Sequence, residues 1–213
     1  MATMDLAALG LAPAFGLAFV LVFALLLPVL LLRGGRKDAR PTRSLRTLVV
    51  LGSGGHTTEM LSMLASMPKE VVKGSVFIVA ATDTMSQTTL ETQFPGAVVL
   101  RTPRAREVRQ SWLTSVFTTL VAAMYALRTV VREQPDLVLC NGPGTCVPVA
   151  YAAWLMRLVR VKSCSIVFTE SIARVKSLSL SGRLLYPIVD KFMVQWPDLL
   201  IKYPRARYVG FVI

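Results

Sequence analysis

Apolar residues follow two different patterns along the chain. From Leu11 to Leu32 they form one uncharged run of Ala, Leu, Val, Phe and Gly that is interrupted only by two prolines. After Arg46, short apolar runs alternate with longer segments in which apolar residues recur at helical spacing. The first pattern is typical of a membrane-spanning helix, and the second indicates an α/β domain.

The uncharged run is long enough to cross a bilayer, since a helix over residues 11–32 would span about 33 Å at about 1.5 Å per residue. A cleaved signal peptide is the alternative interpretation. It is disfavoured because Asp5 and no Lys or Arg precedes the run, and because the run is too long and lacks a small-residue cleavage site after it. We therefore expect a transmembrane helix over residues 11–32.

Basic residues on one side of this run predict its orientation. They all follow it, and they are Arg33, Arg36, Lys37, Arg40, Arg43 and Arg46. The positive-inside rule then makes residues 1–10 a short lumenal N-terminus, residues 33–46 a basic cytosolic flank and the remainder a cytosolic domain. The three cysteines, which show no CxxC spacing, agree with a reducing compartment.

The segment from residue 47 to residue 213 has the pattern of a parallel sheet. Short apolar runs predict strands at Thr47–Leu51, Ser75–Ala81, Val98–Leu100, Leu137–Cys140 and Ser163–Phe168, with a sixth short strand at Phe192–Val194. Helical patterns between them cover Thr57–Met67, Thr84–Gln93, Trp112–Arg132 and Val147–Arg160. Because near-continuous apolar strands alternate with helices, we expect one Rossmann-like, doubly wound parallel sheet.

The formal net charge of +12 predicts an anionic partner such as a membrane surface or a phosphorylated substrate. Nucleic acid is disfavoured because the basic residues are dispersed and neither a zinc-ligand spacing nor an RNP-like aromatic run is present. A single histidine also excludes a histidine-rich metal site. The sequence therefore predicts no metal and no bound cofactor.

The turn Gly52-Ser53-Gly54-Gly55-His56 follows the first predicted strand, at the edge of the sheet where such folds bind ligands. Its glycines allow a phosphate to approach the backbone, and the helix expected to begin at Thr57 offers free N–H groups and a positive dipole end. His56 is a candidate general base because an imidazole titrates near neutral pH. The alternatives are a tight turn without a ligand and a histidine that only bonds backbone at the helix terminus.

A nicotinamide-dependent oxidoreductase tethered to the membrane is a second functional hypothesis. Gly52 and Gly54 match part of the G-x-G-x-x-G fingerprint, and Asp83 ends the second strand, where a ribose-binding acid would lie. Thr57 in the sixth position of the fingerprint and the absence of a Tyr-x-x-x-Lys pair oppose this hypothesis.

Two further loops and one basic segment could contribute to the same edge. The turn after the fourth strand contains Gly142 and Gly144, and two glycine turns suit a diphosphate better than one, although ordinary turn chemistry also explains them. The loop after the fifth strand contains Glu170, a candidate proton acceptor. The alternative is a solvated charged loop without a role in the site. Arg104 and Arg106 could clamp an anionic substrate or face the membrane.

Four segments together resemble one family, and they are LGSGGHTTEML, PRAREVRQSW, NGPGTCVPVAYAA and FTESIARVKSLSLSGRLLYPIVDKFMVQWP. They are similar to the membrane-anchoring subunit of the UDP-N-acetylglucosamine transferase of the dolichol pathway. The resemblance runs from about Thr47 to the C-terminus and includes the N-terminal span. More distantly, both glycine turns resemble those in the amino-terminal half of the bacterial peptidoglycan lipid-intermediate N-acetylglucosaminyltransferase.

This resemblance implies that the chain is the acceptor-side half of a split GT-B glycosyltransferase and is inactive alone. A small cytosolic catalytic subunit would supply the nucleotide-sugar half, and the pair would add the second N-acetylglucosamine to N-acetylglucosaminyl-diphosphodolichol on the cytosolic face of the endoplasmic reticulum. The glycine turns, with Thr57, would lie near the lipid diphosphate. His56, or Glu170 as second choice, would deprotonate the acceptor hydroxyl.

The apolar C-terminal run from Tyr208 to Ile213 would be costly to leave exposed. In the family this tail docks onto the catalytic partner, so the resemblance implies that Phe211, Val212 and Ile213 contact that partner. Phe211 departs from the more polar residue expected there. A final edge strand is the structural alternative for the tail, and a recruitment scaffold without catalytic groups is the remaining functional alternative.

Overall fold

The computed structural model describes residues 45–104 and 112–212. The predicted membrane span, most of its basic flank, Arg106 and Ile213 lie outside these ranges. Within them, no helix combines the length and the apolar character needed to cross a bilayer.

The described residues form seven strands and seven helices, most of which alternate along the chain. In chain order these are β1 (Thr47–Val50), α1 (Gly55–Ala65), α2 (Lys69–Val72), β2 (Val76–Ala80), α3 (Thr84–Gln93), β3 (Val98–Thr102), α4 (Trp112–Glu133), β4 (Leu137–Asn141), α5 (Cys146–Leu158), β5 (Ser165–Thr169), α6 (Leu180–Leu185), β6 (Lys191–Val194), α7 (Leu199–Lys202) and β7 (Ala206–Tyr208).

The strands form one parallel sheet in the order β3-β2-β1-β4-β5-β6-β7. From β1 the chain first builds the sheet outward through β2 to β3, and it then returns to place β4 on the other side of β1. This reversal between β1 and β4 is a topological switch point, and it opens a crevice beyond the carboxyl ends of these two strands.

Helices cover both faces of the sheet because successive strand residues point to opposite sides. Val49 and Leu51 of the β1 segment pack with α1 and α3 on one face. Leu48 and Val50 pack with α4, α5 and α6 on the other. The single parallel α/β sheet, covered on both faces, confirms the predicted fold class of the domain.

The six predicted strands are present as β1 to β6, with ends that shift by one or two residues. Helix α1 begins at Gly55 rather than at Thr57, so the glycine turn itself enters the helix. Three short helices were not predicted, namely α2, α6 and α7, which contain four to six residues each. Segments this short do not show a hydrophobic period, which explains why the pattern missed them. The final edge strand considered for the tail is present as β7, but it ends at Tyr208, where the predicted tail begins.

Candidate active site at the carboxyl edge of the sheet

The two glycine turns meet at the switch point, and His56 lies between them. A Cβ atom on Gly52 would come within 2.8 Å of both His56 Cβ and Pro143 Cγ. A Cβ atom on Gly142 would overlap the imidazole ring, and Gly142 has a φ of +62°, which glycine adopts without a steric penalty. The absence of side chains at Gly52 and Gly142 therefore provides the space that the imidazole occupies.

Asn141, at the end of β4, orients the His56 ring. Its Nδ2 donates to Glu59 Oε2 at 2.9 Å, so its Oδ1 faces His56 Nδ1 at 3.1 Å. Because an amide oxygen only accepts, Nδ1 must carry the proton and donate to it. In the neutral ring this leaves the lone pair on Nε2, which is the atom a general base needs.

Glu59 holds the three loops of the site together. It is 2% exposed, and its Oε1 accepts hydrogen bonds from Ser171 Oγ at 3.0 Å and from Ile172 N at 3.1 Å, while its Oε2 accepts from Asn141. These donors come from the loop after β5 and from the end of β4. A single buried carboxylate on α1 thus ties together the segments that follow β1, β4 and β5.

Charge and burial set the protonation states of Glu59 and His56. Glu59 Oε2 lies 3.9 Å from His56 Nδ1, and this carboxylate raises the pKa of His56 above 6.5 although partial burial of the ring opposes the shift. Burial alone would raise the pKa of Glu59, but the nearby His56 ring and the hydrogen bonds from Asn141, Ser171 and Ile172 lower it below 4.5. Glu59 is therefore ionised at neutral pH, and its charge favours the protonated form of His56.

Glu59 and Asn141 belong to the candidate site, and the sequence did not single them out. Glu59 stands in the segment LGSGGHTTEML, in which the sequence singled out the turn from Gly52 to His56 and Thr57. The spacing of three residues between His56 and Glu59, which brings both onto one face of α1, was the available signal. Asn141 stands in the segment NGPGTCVPVAYAA, in which the sequence singled out Gly142 and Gly144.

Glu170, the second candidate base, is fully buried and makes structural contacts. Its Oε2 accepts from Ser179 N at 2.9 Å and from Ser179 Oγ at 3.0 Å, and its Oε1 accepts from Ser171 N at 3.2 Å. Ser179 is the N-cap of α6, and a Cβ atom on Gly182 would overlap the same carboxylate. Burial raises the pKa of Glu170 above 4.5. These contacts give Glu170 a role in holding the loop after β5, and they favour His56 as the base.

The residues predicted to form a phosphate cradle are divided between surface and interior, since Gly52, Gly142 and Thr57 are buried. Ser53, Gly54, Gly55 and Gly144 are exposed, and within the described part of the chain no hydrogen bond occupies the N–H groups of these three glycines. The Thr57 hydroxyl is instead buried, where it donates to Gly52 O and lies 2.7 Å from Ser86 Oγ, and its N–H donates to Gly54 O at 3.0 Å. Thr57 stabilises the turn from the buried side. Its hydroxyl and its N–H are both engaged within the protein, so neither group is free for the predicted contact with phosphate.

Asp83 is engaged as a helix cap. Its Oδ1 accepts from Ser86 N at 3.1 Å, and its Oδ2 accepts from Ser86 Oγ at 2.7 Å, at the N-terminus of α3. The carboxylate is 8% exposed. Both carboxylate oxygens of Asp83, the residue that would bind the ribose of a nicotinamide cofactor, thus accept hydrogen bonds from Ser86. Nothing in the described site supports the nicotinamide hypothesis.

Comparisons with known proteins identify the family of this chain. A family model described as "Oligosaccharide biosynthesis protein Alg14 like" matches residues 47–212, which is the whole α/β domain and its tail. The chain belongs to this family. Its relatives include the mouse protein named "UDP-N-acetylglucosamine transferase subunit ALG14", which is 44% identical over 84% of this chain and 88% of its own length. The human protein of that name is 42% identical over 83% of this chain and 87% of its own length. The Schizosaccharomyces pombe protein is 43% identical over 78% of this chain and 82% of its own length.

Two solved structures share the fold. The crystal structure of Acinetobacter baumannii MurG matches with a TM-score of 0.55 and 17% identity over 72% of this chain and 42% of that chain. A crystal structure of UDP-N-acetylglucosamine 2-epimerase matches with a TM-score of 0.59 and 16% identity over 79% of this chain and 49% of that one. In both cases the domain of this family member corresponds to less than half of a longer chain.

Of the remaining predicted residues, those that the structure describes lie away from the two turns. Arg104 follows β3, which β2 separates from β1, and Arg106 is outside the described residues. In the tail, the Phe211 ring packs edge-on against Trp196 at 5.0 Å between centroids, and Val212 N donates to Gln195 Oε1 at 3.1 Å. Phe211 is still 55% exposed. The tail therefore lies along the carboxyl end of β6 and keeps an apolar ring available at the surface.

Proposed function

We propose that this chain is the membrane-anchoring, acceptor-side subunit of a two-chain glycosyltransferase. The pair transfers N-acetylglucosamine from UDP-N-acetylglucosamine to N-acetylglucosaminyl-diphosphodolichol, which forms the second sugar linkage of the N-glycan precursor. Family membership and the printed names of the relatives support the reaction class. The observation that carries the site assignment is the convergence of two glycine turns on a single, oriented histidine.

A second chain is part of this proposal because the curated relatives are named as transferase subunits. The described domain corresponds to 42% of the MurG chain and 49% of the epimerase chain. Ligands of doubly wound sheets bind beyond the carboxyl ends of the strands, so a second domain facing this edge would enclose the crevice. A cytosolic subunit that binds the nucleotide sugar would supply that domain, and this chain alone would be inactive.

The proposed chemistry places a proton acceptor beside an anion cradle. The exposed N–H groups of Gly54, Gly55 and Gly144 would donate to the lipid-linked diphosphate. His56 Nε2 would take the proton from the acceptor sugar hydroxyl as its oxygen attacks the anomeric carbon of the donor N-acetylglucosamine. The bond from that carbon to UDP breaks, UDP leaves with the electron pair, and the anomeric configuration inverts.

The location follows from the sequence and is part of the same proposal. The uncharged run over residues 11–32 would anchor the chain in the endoplasmic reticulum membrane, and the basic residues after it would place the domain on the cytosolic face. The apolar lipid of the acceptor would then remain in the bilayer while its diphosphate reaches the glycine turns.

Co-expression with the cytosolic subunit tests the proposal. Transfer from UDP-N-acetylglucosamine to an N-acetylglucosaminyl diphosphate lipid is measured with both chains, with each chain omitted in turn, and with His56→Asn in this chain. We expect transfer only when both chains are present, and a loss of about 10²–10⁴-fold in His56→Asn with partner binding retained. Transfer without this chain would refute the proposed subunit role, and full activity of His56→Asn would favour a recruitment scaffold.

A further inference from the structure

Gln195 joins the C-terminal tail to the loop that follows β5. The side chain is 1% exposed, and both of its polar atoms are bonded. Its Nε2 donates to Glu170 O at 3.2 Å, and its Oε1 accepts from Val212 N at 3.1 Å. Because one amide group makes both bonds, a displacement of the tail backbone acts directly on the backbone at Glu170.

Trp196, the next residue, makes a second connection between the same two segments. Its ring packs against Phe211 at 5.0 Å, and its Nε1 donates to Ile172 O at 2.6 Å. Two consecutive residues after β6 therefore each contact the tail and the loop after β5. We call Gln195 and Trp196 the bridging pair.

The loop held by the bridging pair is the one that completes the site. Ile172 accepts from Trp196 through its carbonyl and donates through its N–H to Glu59 Oε1 at 3.1 Å. Glu59 in turn binds Asn141, which orients His56. A continuous series of hydrogen bonds and one ring contact thus runs from the tail to the catalytic candidate.

We propose that Gln195 and Trp196 couple partner docking on the tail to acceptor binding at the glycine turns, so that each binding event strengthens the other. The inference rests on the proposed function, in which the tail meets the nucleotide-sugar subunit and the turns bind the acceptor. Gln195 and Trp196 are positioning residues in this scheme, since neither would touch substrate. The arrangement favours a complete active site only when both the acceptor and the second subunit are present.

Coupling between two ligands is reciprocal, so it can be measured from one side alone. The dissociation constant of the full-length chain for its labelled catalytic subunit is determined in detergent micelles, without and with a saturating acceptor probe. The probe is N-acetylglucosaminyl diphosphate on a short isoprenoid chain, and UDP-N-acetylglucosamine is omitted so that no transfer occurs. The ratio of the two dissociation constants reports the coupling, and binding of the probe alone is measured separately.

We expect the acceptor probe to tighten partner binding by about fivefold or more in the wild-type chain, which is the lower end of typical coupling between sites. Trp196→Phe keeps the ring that contacts Phe211 and removes only the N–H that bonds Ile172, so its ratio should fall close to one. Gln195→Met, which removes the other connection, should lower the ratio as well. Trp154→Phe is the matched control because Trp154 packs against Tyr151 on α5, and its ratio should equal that of the wild type.

A variant that merely loosens the fold weakens both affinities without changing their ratio, so the ratio separates positioning from a structural role. A wild-type ratio of one, in a pair that still transfers the sugar, overturns the coupling and leaves the proposed function intact. Wild-type coupling retained in both Trp196→Phe and Gln195→Met overturns the role of these two residues. Failure of the wild-type chain to bind the acceptor probe overturns the proposed function and, with it, this inference.

Discussion

Ile172 donates its backbone N–H to Glu59 Oε1 at 3.1 Å, although the two residues are 113 positions apart in the sequence. The bond joins the loop after β5 to helix α1, which follows β1, while β4 lies between these two strands. Asn141 at the end of β4 binds the other oxygen of the same carboxylate. The site is thus built around one buried charge rather than around the glycine turns alone.

Replacing Glu59 tests this arrangement. In Glu59→Gln the negative charge that raises the pKa of His56 is gone, so the pKa of His56 should fall. The free energy of unfolding should decrease by about 1–3 kcal/mol, because buried donors lose a charged acceptor. His56 is the only histidine in the chain, so one imidazole resonance in an NMR titration reports the pKa directly. Glu91→Gln, on the exposed side of α3, is the control that should change neither quantity.

The pH dependence of sugar transfer follows from the contact between His56 and Glu59. His56 accepts a proton only when neutral, and Glu59 raises its pKa above 6.5. Plots of kcat/KM against pH for the two-chain enzyme should therefore fall as the pH drops through a value above 6.5, and Glu59→Gln should move this limb to lower pH. An acidic limb that Glu59→Gln leaves in place would contradict the assignment of His56.

The same shift predicts how His56 affects stability. Its pKa is higher in the folded chain than in the unfolded one, so the fold favours the protonated ring. The contact with Glu59 then contributes its full stabilisation below pH 6.5, and this contribution is lost as the pH rises through the folded pKa. Urea unfolding of the wild type and of His56→Asn at a series of pH values measures the difference.

Gly142→Ala should inactivate the site by displacing His56. An added Cβ atom would overlap the imidazole, and the φ of +62° adds a backbone cost of about 1–3 kcal/mol. Gly96→Ala is a matched control, since Gly96 has a φ of +79° but no heavy atom within 4 Å of the added Cβ. Both variants should lose stability in urea titrations, and only Gly142→Ala should lose transfer. Equal transfer by the two variants would show that the position of the ring is unimportant.

Asp83→Ala separates a helix cap from a cofactor ligand. The cap bond to Ser86 N should be worth about 0.5–2 kcal/mol, so the Tm should decrease while the transfer rate per folded molecule stays the same. Titration of the wild-type chain with NADH should show no binding by fluorescence. Binding to the wild type that Asp83→Ala abolishes would instead revive the oxidoreductase hypothesis.

Removing the tail should release the catalytic subunit. Deletion of Phe211–Ile213 takes away an exposed ring and the Val212 N–H that bonds Gln195. In a pull-down from co-expressing cells we expect the truncated chain to retain little of its partner. Phe117→Ala provides the comparison, because Phe117 is also an exposed aromatic residue but lies on α4, and it should retain the partner in full. Retention by the truncated chain would place the docking surface elsewhere.

The sequence pattern predicted most of the sheet because its central strands are buried on both faces and are therefore continuous in apolar residues. β1 and β4, for example, were predicted to within one residue at each end. The short helix α6 was not predicted because its start is fixed by the cap residue Ser179 and by the contact of Ser179 with Glu170. Neither contact produces a hydrophobic periodicity in the sequence. The position of α6 could be found only from the fold.

Part of the candidate site could also be predicted from the sequence, because some of its residues stand in local motifs. His56 and the glycines stand in local motifs, so the sequence alone identified them. Asn141 lies 85 residues from His56, and Ile172 lies 113 residues from Glu59, so no local pattern connects these partners. Thr57 shows the reverse case, because its place in the motif indicated phosphate, whereas burial against Ser86 directs its hydroxyl inward.

The carboxylate of Glu59 also constrains how this protein can be recombined. Its hydrogen-bond partners come from the end of β4 and from the loop after β5, while His56 and Glu59 themselves belong to the segment after β1. A graft that exchanges one of these segments for that of a distant homologue separates a donor from its acceptor. Functional chimeras should therefore require all three segments from one parent, even though they are far apart in the gene.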